Sequence, residues 1–236
     1  MARMSARARR EQFVEAAIKV MSREGLDRAT TRRIAQEAGA PQGAFHYAFR
    51  DKNELFTEVV AAVTLQVEKI LREAVDPSKG LAACVDAGLR AFWRHVVSDD
   101  SLQLMQYELT IFCRRTAGFE WLAEWQYTRY TTATLELLKA AADYEPRPLG
   151  IDLRDLANFV VAGMDGLILQ YEVSHDLEGG ERDLGNLIRA AALLAGVDPP
   201  EPHGPAAPAL TPRQSSLANH AVTARRNSSG RSTHGK

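Results

Sequence analysis

Cysteine is nearly absent. Cys84 and Cys113 are the only two in 236 residues. They fall in separate apolar segments with no further Cys or His at ligand spacing, which excludes a zinc site and leaves two buried thiols. Long apolar runs are missing too: none reaches the roughly 18 residues of a membrane span, so no membrane partner is expected. The N-terminal MARMSARARREQF is basic but has no apolar segment behind it. No signal peptide is expected, and the cytoplasm is the expected location. Sustained alternation of period two between hairpin turns is absent, which argues against strands, and no internal repeat is evident. There is no P-loop, no zinc-protease motif and no Gly-x-Ser-x-Gly elbow, so neither an enzyme nor a cofactor nor a metal is expected. One acidic pair, Asp99-Asp100, is what an all-α Mg-dependent enzyme of the prenyl-transfer kind would use. It has no second metal motif and sits where a loop or cap would put it.

What remains is an ordinary globular composition, 45% hydrophobic and 25% charged, long enough for one good core or a core and a small satellite domain. The net charge of −1 is unevenly spread. Residues 1–52 hold 11 basic and 6 acidic side chains, residues 53–198 hold 13 and 23, and residues 199–236 hold 5 and 1. A basic head on an acidic body points to a polyanion met by the head alone.

Helical periodicity runs through most of the chain, and the expected fold is all-α. Phe13, Ala16, Ala17, Val20 and Met21 mark a helix over 6–23, ended by Gly25. Thr30 reads as the N-cap of a short helix stopped by Gly39, and Pro41 suits the first turn of another short helix to about residue 47. Asp51 caps a long helix over 52–75. Further helices are expected at 81–97, 101–113, 117–143, 152–175 and 181–195, with Glu178-Gly179-Gly180 read as a break. From residue 198 the chain turns rich in Pro, Ser and Gly, and a disordered basic tail over 198–236 is expected.

The informative stretch is IAQEAGAPQGAFHYAFRDK, residues 34–52. Two helices crossing at a sharp turn need a small residue at the contact, a residue tolerant of positive φ in the turn, and a bulky residue under the second helix. Ala35, Gly39 and Phe45 meet those needs in order. Ile34, Ala38 and Phe49 are apolar beside them, while Arg32, Arg33, Gln42, His46 and Tyr47 are polar.

With Phe13, Ala16-Ala17, Gly25, Thr30, Ile34-Ala35, Ala38-Gly39, Gly43, Phe49, Lys52 and Leu55 in place, residues 7–72 resemble the N-terminal domain of TetR-family transcriptional regulators. The resemblance implies a three-helix DNA-binding domain over 7–72, its helix-turn-helix at about 30–49, and a helical effector-binding and dimerisation domain over 77–197. It further implies a homodimeric repressor on double-stranded DNA with a palindromic operator, released by a small-molecule effector. A body that receives a protein partner instead of a ligand is the alternative. Family members commonly carry Tyr where this chain has His46 and His where it has Ala48.

The implied DNA contacts are Thr30, Arg32, Pro41, Gln42, Gly43, Ala44, His46, Tyr47 and Lys52. Gln42 can read adenine through two hydrogen bonds, and the Ala44 methyl suits a thymine methyl. Gly43 lets the backbone come close. Thr30 and Lys52 stand at helix N-termini, where phosphate binds, and His46 and Tyr47 can donate to phosphate. Arg32 and a flexible arm over residues 3–10 add electrostatic attraction.

In the body, Trp93, Tyr107, Trp125, Tyr127 and Asp165 are the candidate ligand contacts, because aromatic walls with a few polar groups make ligand cavities. The segment 157–171 is apolar nearly all round and the helix after Gly180 has a one-sided stripe. Gly163, Gly166, Leu184, Leu187, Ile188 and Ala191 are therefore the candidate dimer contacts.

Overall fold

Side-chain caps set most helix starts. Ser5 accepts from the backbone N–H of Ala8, Thr30 from Arg33, Asp51 from Glu54, Asp99 from Leu102, Asp152 from Arg154 and Asp155, and Asp176 from Gly179. Each satisfies a donor that the first helical turn leaves unpaired. The computed structural model describes residues 5–201. Among them are nine α-helices: α1 (Ala6–Glu24), α2 (Thr31–Glu37), α3 (Gly43–Ala48), α4 (Lys52–Ala74), α5 (Leu81–Ser98), α6 (Asp100–Arg115), α7 (Glu120–Ala142), α8 (Leu153–Ser174) and α9 (Leu177–Ala195). A short 3-10 turn, Pro77–Lys79, separates α4 from α5, and no strand occurs among the described residues. None of their helices is long and apolar enough to cross a membrane. Most of the expected tail lies outside the described residues.

Two boundaries differ from expectation. Pro41 stands before α3 rather than in it, its carbonyl accepting from Ala44 N–H at 2.9 Å. At the other end of the chain α9 begins at Leu177, so Gly179 and Gly180 belong to its first turns instead of breaking the chain. Space explains the second glycine: a Cβ on Gly180 would meet the Trp93 ring at 2.6 Å. Asp99, read as one half of a possible metal motif, is the cap of α6 and also accepts from the Ser101 hydroxyl at 2.6 Å.

Two cores follow from the apolar stripes. The first joins α1 to α4 with the inner faces of α6 and the start of α7. Its centre is aromatic: Phe13 meets Phe45 and Phe49 edge-on, centroids 5.7 and 6.3 Å apart. The second joins α5, α7, α8 and α9 around Leu81, Trp93, Leu156, Ile168 and Leu184. Both cysteines are buried and free. Helix α4 serves both halves. Leu55, Phe56, Val59 and Val60 pack in the first core, and Val67, Glu68 and Leu71, farther along, face a cavity in the second half. At 23 residues it spans about 35 Å.

Candidate nucleic-acid interface and effector cavity

The turn between α2 and α3 is held by what lies under it. Ala35 and Phe45 are fully buried, and Gly39 has φ +60 with open space where a Cβ would go, so its backbone conformation is what calls for glycine. Gln12 of α1 donates to the Ala38 carbonyl at 2.7 Å, fixing the turn to the first helix. Arg10 donates to the Ala48 carbonyl at 2.6 Å and pairs with Glu54 and Glu58, its guanidinium 4.4 Å from the Phe49 ring centroid. The end of α3 is thereby tied to α1 and α4 together. Arg10 is thus a buttress and not part of a loose arm: α1 is regular from Ala6, and of the expected arm Arg3 lies outside the described residues.

With Phe45 buried, α3 presents its other face. Pro41, Gln42, Gly43 and His46 are exposed, Tyr47 is 94% exposed, and Ala44 is half-buried at the edge of the core. A phenol so free of packing is ready to meet something else. Thr30 uses its oxygen to cap α2, accepting from Arg33 N–H at 3.3 Å, and keeps its hydroxyl hydrogen to donate. Arg32 is exposed and makes no ion pair among the described residues, whereas Arg33 and Arg23 share Glu24 and Arg50 pairs with Glu54. The head's positive count therefore overstates its free charge. Lys52 is only half-exposed, its ammonium 4.9 Å from the Phe56 ring centroid. Burial draws its pKa down, with Asp27 acting against that. To reach a phosphate it must swing off the ring.

The second site is a cavity of about 60 Å3, partly open to solvent, walled by α4, α5, α6, α7 and α8. Of the expected ligand contacts, Tyr107, Tyr127 and Asp165 line it. Trp93 and Trp125 do not. Trp93 faces α9, donating from its indole N–H to Glu181 at 2.9 Å and packing on Tyr171. Trp125 packs against the first core. Further residues complete the wall: Tyr130, and three glutamines that the sequence did not single out, Gln103, Gln106 and Gln126. Gln103, Gln106, Tyr107 and Thr110 recur at the helical interval along one face of α6, a polar stripe that could have been read.

These groups form a connected network. Gln126 donates to the Tyr130 hydroxyl at 2.9 Å, Thr110 donates to Gln126 at 3.1 Å, and the Tyr107 hydroxyl donates to the Asp165 backbone carbonyl at 3.1 Å. Glu68, 2% exposed, is clamped by Arg129 through two contacts of 2.6 Å, with Arg72 at 3.4 Å. Burial pushes the Tyr107 and Tyr127 hydroxyls well above the usual tyrosine range and that of Tyr130 up to about 12. Burial also raises the Asp165 carboxyl, against a hydrogen bond that Tyr127 donates to it.

A groove along α8 and α9, about 780 Å3 but open to solvent, is lined by Gly163, Gly166 and Leu187. Leu184, Ile188 and Ala191 have no surface to offer there. At 0%, 2% and 0% exposure they belong to the chain's own core, which corrects their reading as dimer contacts. The exposed large apolar side chains of α8 and α9 are instead Leu169, Val173, Leu177, Leu193 and Leu194. The Leu187 side chain fills the space beside Gly163, where a Cβ would meet it at 2.5 Å.

Known proteins match both halves. Residues 13–59 fit the model of bacterial regulatory proteins, tetR family. The nicotine-responsive transcriptional repressor HdnoR of Paenarthrobacter nicotinovorans is 33% identical over 169 residues, 72% of this chain and 86% of that protein. A solved protein of Pseudomonas aeruginosa PAO1 shares the fold with a TM-score of 0.65 at 23% identity, over 82% of this chain and 94% of that one. SmeT, the repressor of a Stenotrophomonas maltophilia multidrug efflux pump, does so with a TM-score of 0.60 at 21% identity, over 78% and 88%. SmeT has also been solved with triclosan.

Proposed function

The chain belongs to the TetR family of bacterial regulatory proteins, and on that premise we propose that it is a homodimeric repressor that grips a palindromic operator and releases it when a small molecule fills the α4–α8 cavity. Membership makes it a DNA-binding transcriptional regulator and not an enzyme. The observation that carries the fuller reading is that one helix belongs to both sites. The N-terminal half of α4 sits in the core under α3, and its C-terminal half walls the cavity. A ligand that favours one placement of Val67, Glu68 and Leu71 biases the setting of α3, and DNA affinity falls by the ligand's differential binding energy. The relative that responds to nicotine supports a small-molecule effector here. A concave, mostly apolar cavity with a few convergent polar groups favours a small ligand over a protein partner.

In this reading Gln42 and Ala44 meet bases. Thr30, Arg32, His46, Tyr47 and Lys52 meet phosphates, and Pro41 and Gly43 permit the close approach. The apolar outer face of α8 and α9, with Gly166, Leu169, Val173, Leu193 and Leu194, supports the dimer contact, and two α3 helices would then lie about one DNA turn apart. A regulator that binds the cell's DNA works in the cytoplasm.

Fluorescence anisotropy on duplex DNA from upstream of the protein's own gene, across a salt series, tests this. Gln42→Ala is expected to cost about 1–3 kcal/mol at its base pair. Lys52→Ala is expected to weaken all sequences alike and to flatten the salt slope. Binding no better than to scrambled duplex, at that site and at sites selected from the whole genome, contradicts the reading.

A further inference from the structure

The cavity's charge is one-sided. Its two formal charges are carboxylates, Glu68 and Asp165. Glu68 is taken up by Arg129 and Arg72. Asp165, on α8, has no ion-pair partner among the described residues. Facing it are the hydroxyls of Tyr107 from α6 and Tyr127 from α7, with Tyr130 beyond, and no Lys, Arg or His lines the cavity. Tyr127 donates to the Asp165 carboxylate, while Tyr107 spends its hydrogen on the Asp165 backbone carbonyl. A carboxylate set among phenols and apolar walls costs desolvation energy that one neutral hydrogen bond only partly offsets, and a cation brought beside it recovers that energy.

The walls suit the same guest. Tyr127 and Tyr130 stand edge to face with centroids 6.0 Å apart, and Phe92 adds a third ring. Aromatic faces attract cations, more strongly where water is excluded. Val160, Val161 and Met164 supply an apolar floor next to Asp165, and the Gln106 and Gln126 amides, bridged by the Tyr130 hydroxyl, add a polar wall. About 60 Å3 is less than half of the roughly 150 Å3 that holds a benzene ring, so a ring enters only by moving the walls apart, Val67, Glu68 and Leu71 among them.

We infer that the effector is a small organic cation, a protonated amine on a compact ring, with Asp165 as its counter-ion and Tyr107, Tyr127 and Phe92 as its walls. This rests on the cavity being the effector site, as proposed above.

The test uses the full chain and matched probes of one shape and three charges: benzylamine, benzyl alcohol and benzoate, with the cyclohexylmethyl set as a second framework. Affinity is read by calorimetry, and release from operator DNA by anisotropy in the same buffers. Benzylamine is expected to bind at least about tenfold tighter than benzyl alcohol, with benzoate weakest, because the carboxylate favours the cation and repels the anion. Asp165→Asn, which keeps the shape, is expected to abolish that preference. The wild-type comparison stands even if the variant folds poorly. Equal or tighter binding of the alcohol or the benzoate overturns the cation inference and leaves the effector site intact. An amine preference that survives in a folded Asp165→Asn protein removes Asp165 as the counter-ion. A bound amine that leaves DNA affinity unchanged refutes the effector reading but not the cation site. No binding by any probe overturns both.

Discussion

Around Phe45 the interior is aromatic and hydrocarbon, and the polar groups of α3 face away from it, with Gln42, His46 and Tyr47 all exposed. Around Tyr130 the arrangement is reversed: Gln103, Gln106 and Gln126 are each 6% exposed or less, and with Tyr107 and Asp165 they face inward on a cavity. A head that reads DNA needs a rigid floor and polar groups outside. A body that takes a small guest needs polar groups inside and space among them, at a cost in packing. The direction in which polarity points thus separates the two tasks within one all-helical chain.

The largest effect should come from breaking the head's floor. Phe45→Ala removes a fully buried ring that contacts Phe13 and Phe49, and a loss of about 3–5 kcal/mol is expected in urea or thermal unfolding, with DNA binding lost alongside. A stability change below about 1 kcal/mol would mean that the floor is not built as described. Next comes the cavity side. Arg129→Ala leaves the Glu68 carboxylate with Arg72 alone, at 3.4 Å, and because the lost guanidinium is 39% exposed the cost should be nearer about 2 than the 3–5 kcal/mol of a fully buried pair. Arg7→Ala, whose pair with Glu11 is exposed, should leave the unfolding curve unchanged and serves as the control.

A smaller effect distinguishes the halves by pH. The backbone N–H of Arg50 and the Arg10 guanidinium hold Glu54 down at about 2, below the ordinary glutamate range. A carboxyl depressed on folding stabilises above its unfolded pKa, and that contribution is lost as pH falls from about 4.5 to 2. Glu54→Gln should flatten acid unfolding over that window. An unchanged pH profile would show that the Arg10–Glu54 tie does not help to hold α3.

The head was legible in the sequence because its constraint is local. Ala35, Gly39 and Phe45 lie within eleven residues, and each answers to one steric need that spacing alone expresses. The cavity was legible in part, through Tyr107, Tyr127 and Asp165. Its remaining wall depends on which face each of five helices turns inward, and chain spacing sets that only relative to neighbours. Trp125 and Gln126 are adjacent in sequence, about 100° apart on α7, and belong to different interiors. Gly180 read as a break because glycine has few uses in a helix. Its use here, to let Trp93 in, is a contact across 87 positions that no local pattern carries. Leu184, Ile188 and Ala191 form a stripe that suits a partner as well as it suits the chain's own core, and only packing decides.

The measurement closest to the central claim is hydrogen–deuterium exchange of the full chain with and without its selected duplex. The account predicts that the strongest protection falls on peptides covering Thr30 to Lys52, with the walls of the cavity much less affected. Protection centred on α6 to α9, with Thr30 to Lys52 unchanged, would contradict it.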